Sequence, residues 1–104
     1  MTESAAGPSG PGTVVLELGA DVGALVLYAP ADLDGREIDI SPDSSGVRRT
    51  HSRVRPRHLP GGTRYAAVYP DLAVGTYTIW ADEQRRVGSV AVTGGRVTNW
   101  SWPA

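Results

Sequence analysis

Glycine and proline limit what this chain can become. Thirteen of one and eight of the other, about a fifth of 104 residues, interrupt the sequence throughout. Few windows remain long enough for a helix. The segments between them alternate apolar and polar positions with a period of two, as half-buried strands do. Thr13 onward reads as a strand, with Val14, Leu16 and Leu18 on one face and Val15 and Glu17 on the other. Asp21-Val22-Gly23 reads as a turn, and Ala24–Tyr28, apolar on both faces, as an interior strand. Pro30–Gly35 reads as a loop with room for one helical turn, and Arg36–Ile40 as a strand. The turn Pro42–Gly46 then leads into an Arg-rich strand from Val47 to about Arg55, completing a hairpin that Pro56, Pro60, Gly61 and Gly62 end. Thr63–Tyr69 and Thr76–Trp80 read as strands joined by a Pro70–Gly75 turn, and Val87–Thr93 and Arg96–Trp102 as strands flanking Gly94-Gly95.

The last pair permits a register argument. A two-residue turn at Gly94-Gly95 pairs Val92 with Val97 and Val90 with Asn99, which leaves Trp100 and Trp102 on the face away from Val90 and Val92. One extra residue, with a glycine at positive φ in a bulge, brings all four side chains to one face, so a bulged hairpin is expected. Seven or eight short strands with turns every ~8–12 residues indicate an all-β sandwich or barrel. Residues 1–12, rich in Gly, Pro, Ser and Ala, lack the apolar surface needed to offset ordering and read as a mobile tail before a single domain, 13–104.

Composition narrows the function classes. Ten basic against eleven acidic groups give a net charge of −1, which excludes attachment to nucleic acid or membrane by bulk charge. No cysteine is present, which excludes a disulfide framework, a thiol nucleophile and a thiolate zinc site and fits a reducing compartment. No apolar run approaches the ~18–20 residues of a membrane span, and the first residues lack a secretion signal, so a soluble cytoplasmic protein is expected. All ten basic residues are Arg, a bias we read as the mark of a GC-rich genome.

The stretch Tyr65–Ile79, in which a strand enters a Leu72-x-x-Gly75-x-Tyr77 turn and leaves as another strand, resembles the carboxypeptidase regulatory-like domains, as does the Val90–Gly95 segment after it. That resemblance covers roughly the second half of the chain. It implies a prealbumin-like fold, a seven-stranded Greek-key sandwich, which with the strand count above gives an expected Greek-key sandwich of seven to eight strands, and a structural or interaction role. Residues 13–103 also resemble small proteins of high-GC bacteria to which no activity is attached. A catalytic relative of this fold class, the transthyretin-like hydrolase that opens 5-hydroxyisourate, has a Tyr-Arg-Gly-Ser C-terminus and widely spaced histidines. Here the chain ends Asn99-Trp100-Ser101-Trp102-Pro103-Ala104, and its two histidines, His51 and His58, are both central.

The most informative local feature is the run Val47–His58. On one strand it places Arg49, His51, Arg53, Arg55 and Arg57 along a single face, a basic stripe suited to an anionic ligand or an acidic partner. No carboxylate lies between Asp43 and Asp71, whereas residues 17–43 hold seven of the eleven acids. A hairpin that sets Ser41 opposite Val47 aligns Asp39 with Arg49 and Glu37 with His51 as stabilising cross-strand pairs, and leaves Arg53, Arg55 and Arg57 with only Asp32 or Asp34 in reach. Aromatic side chains are not interleaved with the run, which argues against nucleic-acid stacking. Two histidines in an Arg-rich field, with no His-x-His pattern, make a poor metal site. No Gly-x-Ser-x-Gly elbow or phosphate-cradling glycine loop before a helix occurs. Trp80, Trp100 and Trp102 read as core or core-edge residues, with Trp102-Pro103 placed to cap an open end or to form a subunit contact. The expectation is a non-enzymatic interaction module with a protein partner, no cofactor, no metal, no nucleic-acid or membrane partner, and room for a homodimer through an edge strand.

Overall fold

The computed structural model describes residues 20–43 and 49–103. Two four-stranded sheets pack face to face as a β-sandwich. The strands are β1 (Val22–Ala29), β2 (Glu37–Pro42), β3 (Thr50–Arg53), β4 (Arg55–Leu59), β5 (Gly62–Ala73), β6 (Gly75–Trp80), β7 (Arg86–Val92) and β8 (Val97–Ser101). One sheet runs β4-β5-β1-β8, the other β3-β2-β6-β7. All pairings are antiparallel except β1 with β8, which is parallel. The expected N-terminal tail and the strand from Thr13 lie outside the described residues, as does most of the Pro42–Gly46 turn.

Leu25 and Leu27 of β1, Ile38 and Ile40 of β2, Tyr69 of β5, Ile79 of β6 and Val90 and Val92 of β7 meet between the layers. Each fully buried aliphatic side chain stabilises the fold by ~1.5–3 kcal/mol relative to exposure. The Tyr69 hydroxyl crosses the interface to donate to the Ile38 carbonyl at 2.5 Å. Burial pushes the Tyr69 phenol well above its ordinary range, and the Asp39 carboxylate acts in the same direction.

The chain changes sheet four times, after β1, β3, β5 and β7. Two of these crossings correct the sequence reading. The Val47–Arg55 segment is not one strand running on beside β2. At Val54 the chain leaves β3 in one sheet and enters β4 in the other. Val54 is completely buried, and both its backbone groups bond to the loop before β2: its N–H to the Arg36 carbonyl and its carbonyl to the Gly35 N–H, each at 2.8 Å. An apolar residue amid arginines is driven inward, and that pull bends the strand between layers.

The second crossing is Gly94-Gly95. No β7–β8 hairpin forms, bulged or tight: β7 pairs with β6, while β8 crosses to lie beside β1. The glycines serve close approach, for a side chain on Gly94 would collide with the Ala20 carbonyl. Gly95, at φ +72°, donates its N–H to Val22. A glycine pair that suits a tight turn suits this crossing equally. The burial logic still holds across layers, since Val90 and Val92 of β7 line the core from one sheet while Trp100 and Trp102 pack against it from the other. Trp100 occupies the space over Gly88 of β7, where an added Cβ would stand 2.8 Å from the indole.

Two expected turns are shorter than expected, reduced to a turn at Asp21 and a bend at Val74. Val22 and Gly23 belong to β1, and β5 continues through Pro70 to Ala73. Gly23 faces Leu72 and Leu25 faces Tyr69, so Pro70 and Asp71 together oppose Ala24 in a β-bulge. A bulge is where a sheet tolerates a proline, which has no N–H to donate. Pro56 likewise sits within β4, an edge strand. The Pro30–Gly35 loop holds the expected single helical turn, a 3-10 turn at Ala31–Leu33.

Candidate functional site

The split at Val54 divides the five residues of the expected basic stripe. Arg49, His51 and Arg53 stand on the outer face of the β3-β2-β6-β7 sheet, and Arg55 and Arg57 on the outer face of the other.

On the β3 side Arg49, His51 and Arg53 each have a carboxylate partner. The register sets Glu37 opposite Arg53 and Asp39 opposite His51, two residues from the expected alignment. The long side chains reach diagonally, so the expected contacts form nonetheless: Arg49 lies 3.6 Å from Asp39 and His51 4.0 Å from Glu37. Arg53 pairs with Glu37 at 3.2 Å and donates to the Gly35 carbonyl at 3.0 Å, rather than reaching Asp32 or Asp34. Arg49 also donates to the Glu83 carbonyl and stacks 4.0 Å above the Trp80 ring. Trp80 in turn donates its indole N–H to the Ser41 hydroxyl across the β2–β6 pair. Trp80 therefore works on this outer face rather than in the core, holding Arg49 in place.

The outer face of the β4-β5-β1-β8 sheet is built differently. Residues alternate along strands, so the registers place Arg55, Ala66, Tyr28 and Ser101 in one row across all four strands. In the next row Arg57 stands directly opposite Arg64. Beyond them on the same face lie Val68, 42% exposed, Val26 and Asn99. The face carries three guanidinium groups, and among the described residues none of them has a carboxylate within salt-bridge distance. Like charges directly opposite each other across an antiparallel pair destabilise a sheet. Only Arg64 has an aromatic partner, its guanidinium lying 3.8 Å above the Tyr28 ring. Arg64 was outside the expected stripe. The missed signal is its β5 position facing an Arg of β4, which needs the β4–β5 register to be seen.

Tyr28 and Arg64 also form one wall of an open cleft of about 440 Å³, where β1 ends, β5 begins and β8 ends. Tyr65 and Trp102 supply further aromatic surface, and Pro30 and Pro103 also line it. Trp102 borders two smaller neighbouring clefts as well and meets Trp100 edge to face at 6.2 Å. It occupies the open end of the sandwich. One of those clefts has Asp82 on its border; there the Gln84 N–H donated to it holds its carboxyl below the usual carboxylate range.

The two histidines sit in different sheets. His51 faces Glu37, and His58 Nδ1 lies 3.1 Å from the Thr63 hydroxyl. Among the described residues no three His, Asp or Glu side chains converge as a metal site would require. Among them, too, no helix is long and apolar enough to cross a membrane. No family model, curated protein or solved structure matches this chain.

Proposed function

We propose that this chain is a non-enzymatic protein-interaction module of the cytoplasm that captures an acidic partner on the outer face of its β4-β5-β1-β8 sheet. One observation carries the reading. Arg57 and Arg64 oppose each other across β4 and β5, with Arg55 one row away, and among the described residues none of the three has a carboxylate within salt-bridge distance. Such a cluster costs the isolated fold stability and is relieved when an anionic chain binds. Guanidinium forks suit carboxylates, which they hold through paired N–H donors. The exposed Val68 beside them supplies the apolar contact that a protein partner uses and a small anion does not. The absence of cysteine supports the reducing compartment. The four changes of sheet support the Greek-key, prealbumin-like assignment, whose members serve as such modules.

The test is binding of polyglutamate measured at several salt concentrations. We expect affinity to fall steeply as salt rises, and to be lost in an Arg55→Ala/Arg57→Ala/Arg64→Ala variant. An Arg49→Ala/Arg53→Ala variant is expected to bind as the parent does. Equal losses in the two variants, or no binding to either, would refute the assignment.

A further inference from the structure

The cleft beside the Arg face defines the kind of acidic chain that fits. Resting on the reading above, we propose that the partner segment is an extended, proline-containing acidic peptide, its proline rings lying on Tyr28, Tyr65 and Trp102 and its carboxylates on Arg64, Arg57 and Arg55. Arg64 joins the two halves, since it lines the cleft and stands in the arginine row. Its side chain is held over Tyr28, so the cleft and the charged row form one continuous surface.

The lining favours this occupant over others. Tyr28, Tyr65 and Trp102 present aromatic surface along an open trough, not an enclosed hollow, which suits a chain passing through. A polyproline II segment is already extended and loses little entropy on docking, and aromatic-lined grooves are its usual seat. Its carbonyls are all free to accept hydrogen bonds. The Tyr28 and Tyr65 hydroxyls and the Trp102 indole N–H are donors with no protein acceptor among the described residues. A sugar would stack equally well on the rings. However, among the described residues this cleft's own lining offers Thr63, Ser101 and Arg64 beside the rings and no Asp, Glu, Asn or Gln to take its hydroxyls; Asp32 and Asp82 lie in the neighbouring cleft that Trp102 also borders. A second copy of the chain docked face to face would bring two sets of three arginines together, which like-charge repulsion opposes.

Three synthetic peptides test this by fluorescence anisotropy: one with a Pro-x-x-Pro core after three glutamates, one with its prolines changed to alanine, and one with its glutamates changed to glutamine. The first is expected to bind at least about tenfold more tightly than either of the others. Tyr28→Ser removes an outward ring from β1 without touching the core, and is expected to erase the advantage of proline while keeping the dependence on glutamate. Trp102→Ala is expected to do the same, and its circular dichroism spectrum shows whether the fold survives. If the alanine peptide binds the parent as tightly as the proline peptide, this inference fails while the acidic-partner reading stands. If neither glutamate-bearing peptide binds, both fail. Binding of an oligosaccharide in place of the peptides would also overturn it.

Discussion

The outer faces of the two sheets carry similar basic sets, Arg49, His51 and Arg53 on one and Arg55, Arg57 and Arg64 on the other, yet among the described residues only the first set has carboxylate partners. On the β3-β2-β6 face, Glu37 and Asp39 of the neighbouring strand meet all three basic groups, and Trp80 supports Arg49 from below. On the β4-β5-β1 face, the neighbouring strand supplies another arginine. The difference follows from which strand each piece of the Arg run lies beside, and that was decided by one apolar residue, Val54. Similar charge content therefore serves the fold on one side and is available to a partner on the other.

The largest expected effect comes from breaking the division itself. Val54→Asp places a carboxylate in a fully enclosed position at the crossing, at a cost of roughly 3 kcal/mol or more, enough to unfold a marginal domain. Urea titration followed by circular dichroism checks it. A folded Val54→Asp protein would mean that the crossing is not where the layers are fixed.

Tyr69→Phe loosens the link between layers while leaving both faces unchanged. It removes a buried hydroxyl from the Ile38 carbonyl, and we expect a loss of about 1–3 kcal/mol at neutral pH. The phenol titrates above its unfolded value of about 10, so the folded state keeps its proton while the unfolded state releases it. Stability from this group is present below pH ~10 and falls as pH rises beyond it. The parent should lose stability between about pH 10 and 11.5, and Tyr69→Phe should lose less over the same interval. Parallel alkaline curves for the two proteins would contradict the assignment of that loss to Tyr69.

Charge reversals sharpen the comparison most finely because their signs should differ. Arg57→Glu turns a like pair with Arg64 into an opposite one and should stabilise the fold by ~0.2–1 kcal/mol; Arg53→Glu creates a like pair with Glu37 and should destabilise it by a similar amount. Thermal melts at low salt resolve both, and changes of the same sign would remove the distinction between the faces.

The sandwich was legible because strand period and glycine-proline punctuation are local. Ala24–Tyr28, Thr76–Trp80 and the helical turn near Ala31 all emerge from the sequence. So did the ion pairs of Asp39 and Glu37, whose long partners tolerate a register two residues away from the expected one. What was not legible depended on contacts distant in sequence. Gly94-Gly95 looks the same whether its glycines make a hairpin or clear space for the Ala20 carbonyl. Pro70 looks like a turn until the opposing strand provides a bulge. The Arg stripe looked continuous because alternation alone cannot say when a strand changes sheet. Arg64 gained its meaning only when β5 was seen to pair with β4.

The most direct measurement is polyglutamate binding by isothermal titration calorimetry at low salt, with the two single reversals compared side by side. Arg57→Glu should abolish binding even though it makes the protein more stable, and Arg53→Glu should leave binding close to that of the parent. Retained binding in Arg57→Glu, or loss confined to Arg53→Glu, would show that the arginines of the β4-β5-β1-β8 sheet are not the binding face.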